Sequence, residues 1–263
     1  MTDESVWNAL QSSGFPFQTA VRHMINPSVG WQLRVSEYPW RAPGGDDRFL
    51  DIVAIKGTVH LCIECKKTRK ERFIFLLPVG QWNTGVSQNV RCLRVRQMPA
   101  ATKGPVYCET WAVSPSSKVA EFCIVSTSES GRDQRMLEAD ARGVVQGSNA
   151  FAEDVADQGG AIGGGVVPKD SFIVPVIVTN GPIYTARYKP TEISLESGEF
   201  VEQPKEIDRV PWVRSQKAFT SSAVRDVGER TVFVVQAESL NDFLKAFSFL
   251  PAQTSERTSV RIR

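Results

Sequence analysis

The chain has 263 residues, 41% of them hydrophobic and 23% charged, with a net charge of +2. That length buries a real core, as one large domain or one domain with an elaborate second layer. A charge balance this close to neutral excludes a global electrostatic signature of nucleic-acid binding. Five cysteines without framework spacing fit reduced thiols, and with no eighteen consecutive apolar residues and no basic start followed by an apolar run, membrane spans and signal peptides are unsupported. The expectation is a cytoplasmic protein with reduced thiols and no membrane partner.

In chain order, the apolar spacing predicts a helix over residues 14–25 (GFPFQTAVRHMI) and a strand over 30–40 (GWQLRVSEYPW). Trp31, Leu33, Val35 and Glu37 share one strand parity, so Glu37 ends an apolar face with a charge. Residues 49–67, FLDIVAIKGTVHLCIECKK, read as two β-branched strands broken by Lys56-Gly57-Thr58. With Gly57 and Thr58 as the loop, positions whose numbers sum to 115 face each other and Asp51 lies opposite Glu64. Leu50, Ile52, Ala54, Leu61, Ile63 and Cys65 then form an apolar core face. The other face carries Asp51, Val53, Ile55, His60, Cys62 and Glu64, with Lys66 one step further. A three-residue loop would instead set Asp51 opposite Ile63.

Like charges directly opposed across an antiparallel pair destabilise a sheet. A hard divalent cation, Mg²⁺ or Mn²⁺, offsets the repulsion, because such ions are held by one or two carboxylates, water and substrate phosphate oxygens. Lys66 beside it would hold or help deprotonate a metal-bound water. The competing interpretation is a structural ion-pair cluster of Asp51, Glu64 and Lys66 at a strand end.

An Asp in one strand, a hairpin, and Glu-x-Lys in the next, here Asp51 and Glu64-Cys65-Lys66, resembles the PD-(D/E)xK nuclease superfamily, which includes type II restriction enzymes and Holliday-junction resolvases. That family's core is a helix, three antiparallel strands, a helix and a further strand. The resemblance covers residues 14–70 closely and 130–180 loosely, and the C-terminal pattern is similar to stand-alone bacterial members. It implies an α/β fold with a restriction-endonuclease-like mixed central sheet flanked by helices. It also implies metal-dependent phosphodiester hydrolysis, in DNA before RNA, in a restriction or anti-phage setting. Asp51, Glu64 and Lys66 would be catalytic. Asp51, Glu64 and the carbonyl of Cys65 would hold the metal, with Glu37 as a further candidate, while Lys66 positions the attacking water. Some branches place a Glu ligand in the first helix; Gln18 stands there in this chain, and that ligand is not carried over. The alternative function is a nucleic-acid-binding or scaffold subunit on a catalytically silent version of the fold. Two cuts in a duplex need two sites, which a homo-oligomer or a protein partner would supply.

The run KKTRKER brings Lys67, Arg69, Lys70 and Arg72 beside the site as candidate phosphate contacts, joined later by Arg91, Arg94 and Arg96; the competing interpretation is a solvated face. Residues 71–130 read as an insertion in which Trp82, Tyr107 and Trp111 stack on bases or pack internally. Cys62 and Cys65 match C-x-x-C, but residues three apart on a strand point to opposite faces, so both are expected to be small buried strand residues. His23 and His60 are the only histidines, too few for a His-rich metal site or a hydrolase triad. A helix is expected over 134–155. The Gly-rich stretch from Asp157 lacks the Lys-Ser/Thr of a phosphate loop and reads as a linker. Residues 172–180 form a strand buried on both faces, with Pro175 out of place in it. Residues 1–180 thus make a nuclease-like core with its insertion. Residues 181–250 are expected to extend the same sheet, with a capping box at Ser239–Asp242 starting a helix, and 251–263 to form a disordered tail.

Overall fold

The structure, a computed structural model, describes residues 3–25, 29–42, 44–68, 71–80, 86–96, 98, 103–120, 122–126, 136–157, 170–219, 228–250 and 260–262. The elements run α1 (Asp3–Ser12), α2 (Phe15–Met24), β1 (Gln32–Arg41), β2 (Asp47–Lys56), β3 (Val59–Lys66), β4 (Arg72–Pro78), β5 (Val86–Arg96), β6 (Val106–Ala120) and β7 (Phe122–Ser126). Then follow α3 (Met136–Asp157), β8 (Asp170–Thr179), β9 (Ile183–Tyr188), β10 (Glu206–Arg209), β11 (Trp212–Phe219), β12 (Gly228–Gln236), α4 (Leu240–Ala246), β13 (Ser248–Phe249) and β14 (Val260–Ile262). The molecule is mixed α/β with a sheet-dominated body.

The hairpin forms in the two-residue-loop register: every pair from Lys56–Val59 to Ile52–Ile63 sums to 115, and Gly57 takes φ +60°. A positive φ at the first loop position suits glycine, which has no Cβ to clash. Both faces of the hairpin are buried. Ile52, Ala54, Leu61 and Ile63 join a core with Val21 of α2 and Leu240, Phe243 and Leu244 of α4, while Val53 and Cys62 pack under α3. Leu50 departs from the expected parity and joins the α3 side. The reason lies one residue on: the β1–β2 pairs Ser36–Ile52 and Tyr38–Leu50 bracket Glu37 and Asp51, and Glu37 stands at φ +54°, which breaks the pleat there. Helix α3 buries Leu137, Ala141, Val144, Val145, Phe151, Ala152 and Val155 as one helical stripe. Gly147 lets it approach closely, since a Cβ there would lie 2.7 Å from Leu50.

Strand β8 pairs parallel with β3 from Val59–Phe172 to Lys66–Thr179, with α3 as the covered crossover. Its other edge is shared, with β5 paired to residues 170–173 and β12 to residues 176–179. Pro175 therefore falls at the gap where the neighbour changes, and a residue without an amide hydrogen costs little there. The main sheet has ten strands in the order β1-β2-β3-β8-β12-β11-β6-β13, with β5 joining β6 to β8 and β14 on β6; a second sheet runs β10-β9-β4-β7.

Three sequence expectations change here. Residues 181–250 do not all extend the first sheet, because β9 and β10 belong to the second, beside β4 and β7 of the 71–130 insertion. The physical cause is a lock where both chains leave the main sheet. Asn180 accepts the Thr68 N–H (2.6 Å) and donates to the Thr68 carbonyl (3.0 Å), and Gly181 sits so close to Glu71, Phe73 and Thr68 that a Cβ would lie 2.9 Å from each. The chain after β8 is thus set alongside the chain after β3, and β9 pairs parallel to β4. Next, the tail is not wholly irregular, since residues 260–262 pair with residues 106–108 of β6. Last, Ser239 caps α4 without a side-chain hydrogen bond, a 3-10 turn over Ala237–Ser239 preceding the helix instead. The Gly-rich stretch over 158–169 lies outside the described residues.

Candidate functional site

The paired ladder of the hairpin ends at Ile52–Ile63; Asp51 and Glu64 lie one residue beyond it, and the charge of Asp51 acts on Glu64. Asp51 uses its own carboxylate to accept the N–H of Cys65 at 2.6 Å, and the Gln18 amide of α2 donates to the Asp51 carbonyl at 3.2 Å. Both contacts fix Asp51 from the main chain outward. Lys66, two residues past Glu64 on the same face, reaches α3, where its ammonium lies 3.0 Å from Asp140 Oδ2 and donates to Oδ1 at 3.2 Å. Asp51, Glu64 and Lys66 are thus gathered at one end of the hairpin, between β2, β3 and the first turns of α3.

The electrostatics are those of an acid excess. Burial pushes the Glu64 carboxyl up to about 8, the charges of Asp51 and Asp140 add to the rise, and Lys66 opposes it. Asp51 is also raised, first by burial, with the charge of Glu37 adding and the Cys65 amide pulling it back. Glu37, on β1 beside Asp51 of β2, is the one non-glycine residue at positive φ among the described residues, a conformation that costs on the order of 1–3 kcal/mol and clusters at functional sites. Asp51, Glu64 and Asp140 therefore lie beside the Lys66 ammonium, and the exposed Glu37 adds its charge at Asp51. Among the described residues, no three His, Cys, Asp or Glu side chains are placed to hold a metal ion by themselves.

The basic candidates mostly turn elsewhere. Lys67 donates to the carbonyls of Gln11 and Ser13 (2.8 Å to Ser13) at the end of α1, Arg72 is exposed at the start of β4, and Arg69 and Lys70 lie outside the described residues. Arg94 is buried in a two-pronged pair with Glu109 at 2.7 and 2.8 Å, and Arg94 and Arg96 share Asp170 at 3.2 Å each. Arg91 donates to Cys108 Sγ at 3.3 Å. Arg94 and Arg96 are therefore tied to Glu109 and Asp170, and Arg91 lies in the wall of a separate cavity away from the carboxylates. Tyr107 lies under the Arg94 guanidinium at 4.7 Å, and Trp111 packs edge-on against Phe172 (5.0 Å) and Phe249 (6.2 Å), so both serve packing; Trp82 lies outside the described residues. Cys62 and Cys65 face opposite cores, and burial pushes the Cys62 thiol up to about 12. His60 is buried beside Phe151 at the far end of the hairpin.

Asp140 is the site residue that the sequence reading passed over. A signal existed: positions 137, 140, 141 and 144 follow the i, i+3, i+4, i+7 spacing of a buried face, and a carboxylate interrupts that stripe once. No family model, curated protein or solved structure matches the chain. Among the described residues no helix is long and apolar enough to cross a membrane.

Proposed function

We propose that the chain is a metal-dependent nuclease that hydrolyses phosphodiester bonds. One observation carries this reading: two β-strand carboxylates, Asp51 and Glu64, converge with Lys66 at a half-buried edge where Glu64 is pushed up to about 8. Strongly perturbed acids of this kind cluster at functional sites. The order α2–β1–β2–β3–α3–β8, with β1 to β3 antiparallel and β8 parallel to β3, supports the resemblance to the PD-(D/E)xK core. DNA is preferred to RNA, and a restriction or anti-phage role is named, on that resemblance alone.

The donor set suits a hard divalent cation, being all oxygen and short of positive charge. Asp51 and Glu64 would hold it, with the Cys65 carbonyl between Glu64 and Lys66. When bound, Mg²⁺ or Mn²⁺ supplies charge neutralisation at the scissile phosphate and a more acidic water. Asp51 is held by the Cys65 amide and cannot swing away. Lys66, tethered by Asp140, keeps an ammonium beside the carboxylates, where it orients a water oxygen and balances charge that develops on the phosphate. Helix α3 shields one side of the site from solvent.

The test incubates wild type, Asp51→Ala and Lys66→Ala with plasmid DNA, single-stranded DNA and RNA in Mg²⁺, Mn²⁺ or EDTA. Cleavage by wild type that both substitutions and EDTA abolish is the expected result, and the substrate cut names the class. A wild type that cuts none of them with either metal sinks the enzyme reading. The Lys66–Asp140 ion pair favours a second reading in that event, a nucleic-acid-binding or scaffold subunit whose acidic cluster is structural. Asp51→Ala then lowers stability and leaves no activity to lose.

A further inference from the structure

Away from the carboxylates, the main sheet closes on itself. β5 pairs with both β6 and β8, β8 with β12, β12 with β11, and β11 with β6, so five strands form a ring. Between β5 and β12 the ladder is interrupted, and the Arg91 N–H is satisfied by the Thr231 hydroxyl at 2.9 Å. A cavity of about 230 Å³ opens there, walled by β5, β6, β11 and β12. Its wall is polar, including Asn89 and Arg91 on β5, Gln216 on β11, and Glu229 and Thr231 on β12; Val119 is its one apolar residue. A polar cavity of this size holds several waters or a ligand, and it is smaller than the roughly 300–1,000 Å³ pockets that take drug-sized molecules.

The charges around it do not balance. Arg214, two residues from Gln216 on the same face of β11, is 0% exposed; its guanidinium donates to the carbonyls of Ser87 and Pro115 and lies 5.1 Å from the Phe233 ring. Arg230, between Glu229 and Thr231, is 4% exposed and donates to Cys108 Sγ at 2.6 Å and to the Glu229 carbonyl at 3.3 Å. The Nε of each has no hydrogen-bond partner, nor has the buried hydroxyl of Ser117, which pairs across from the wall residue Ser87. Among the described residues neither arginine is paired with a carboxylate. Burial accordingly depresses Arg214 to about 10. A buried, uncompensated cation is costly, and such groups are ordinarily paired. The one carboxylate in the wall, Glu229, is at the exposed rim and accepts from Gln216 at 2.7 Å.

We propose that this cavity binds the oxyanion of a small molecule, a phosphate or a carboxylate, with Arg91 and Gln216 as donors and Arg214 and Arg230 supplying positive potential behind the wall. The site is separate from the carboxylate cluster and does not depend on the nuclease reading. Guanidinium is the preferred partner of both anions because its planar fork matches their paired oxygens.

The test uses the full chain in EDTA, with orthophosphate, adenosine monophosphate or succinate against sodium chloride of equal ionic strength, read by thermal shift and calorimetry. The expected result is a melting midpoint raised by about 2 °C or more at about 10 mM of at least one of the three, unchanged in Asp51→Ala. Which one binds distinguishes free phosphate, a phosphate ester and a carboxylate. Arg91→Gln should then weaken binding about tenfold or more, and Glu229→Gln, which removes the rim's repulsion, should tighten it about threefold. Should Arg91→Gln fail to fold, Gln216→Ala takes its place with the same direction. No midpoint change beyond the chloride control with all three, or binding that Arg91→Gln and Gln216→Ala leave intact, overturns the proposal.

Discussion

Two partly buried charge clusters in this molecule are built from the same materials and come out differently. At the sheet's centre Arg94 and Arg96 meet Glu109 and Asp170, two cations with two carboxylates, Arg94 and Glu109 joined by paired hydrogen bonds. At the hairpin end Asp51, Glu64 and Asp140 meet Lys66 among the described residues, with the exposed Glu37 beside Asp51. The first is balanced, and Glu109 holds Arg94 above its ordinary range. The second stores repulsion, which adds to the larger effect of burial in pushing Glu64 up to about 8. A buried cluster that has been closed reads as structure; one left short of positive charge reads as a place where something positive arrives.

Breaking the balanced cluster should have the largest effect. Glu109→Ala leaves Arg94 with the partly exposed Asp170 as its remaining carboxylate, and loss of one partner of a buried pair typically costs up to about 3–5 kcal/mol, measurable by denaturant unfolding. The same kind of change in the acid cluster should go the other way. Glu64 has a folded-state value above its ordinary 4.5, so between 4.5 and about 8 the folded chain holds a proton that the unfolded chain releases. Its contribution to stability is full below 4.5 and falls as pH rises through that window. Glu64→Gln should therefore gain about 1–3 kcal/mol at a pH of about 8.5 and little at about 4.5. Added Mg²⁺ should raise the wild-type melting midpoint more at the higher pH, because the proton competes for the same carboxylate. Asp140→Asn should cost less than about 1 kcal/mol of stability, its pair being partly exposed, while moving the Glu64 titration downward in carboxyl NMR. A Glu64 titration unmoved by that substitution would uncouple α3 from the site. The smallest effect belongs to Arg41→Ala, whose partner Asp47 is 75% exposed like Arg41 itself, and which should stay within about 0.5 kcal/mol.

The hairpin was legible because its code is local. Gly57 and Thr58 set the loop, period two set the faces, and the register from Lys56–Val59 to Ile52–Ile63 followed by counting. The deviation at Leu50 was not legible, because it arises from Glu37 on another strand adopting a left-handed conformation that no spacing rule announces. For the arginines of β5 the sequence offered only charge, and charge does not say whether a side chain turns to solvent or to Glu109 fifteen residues on. Asp140 was half legible, as a polar interruption of an apolar stripe, but its partner could be named only once α3 lay over β3. Asn180 read only as the end of the 172–180 strand, with Gly181 opening the next segment. Their role as the point where two sheets separate depends on Thr68, 112 residues earlier, and only the fold brings those together.

That junction bears on how the chain assembles. β3 with β8, and β4 with β9, are parallel pairs whose members are more than a hundred residues apart in sequence, and contacts of such separation close slowly. On a ribosome, β3 and β4 emerge long before either partner exists and wait with open edges, the form in which strands aggregate. When residues 170–188 arrive, β8 and β9 cover both edges on either side of Thr68, and β10 to β14 are still to come.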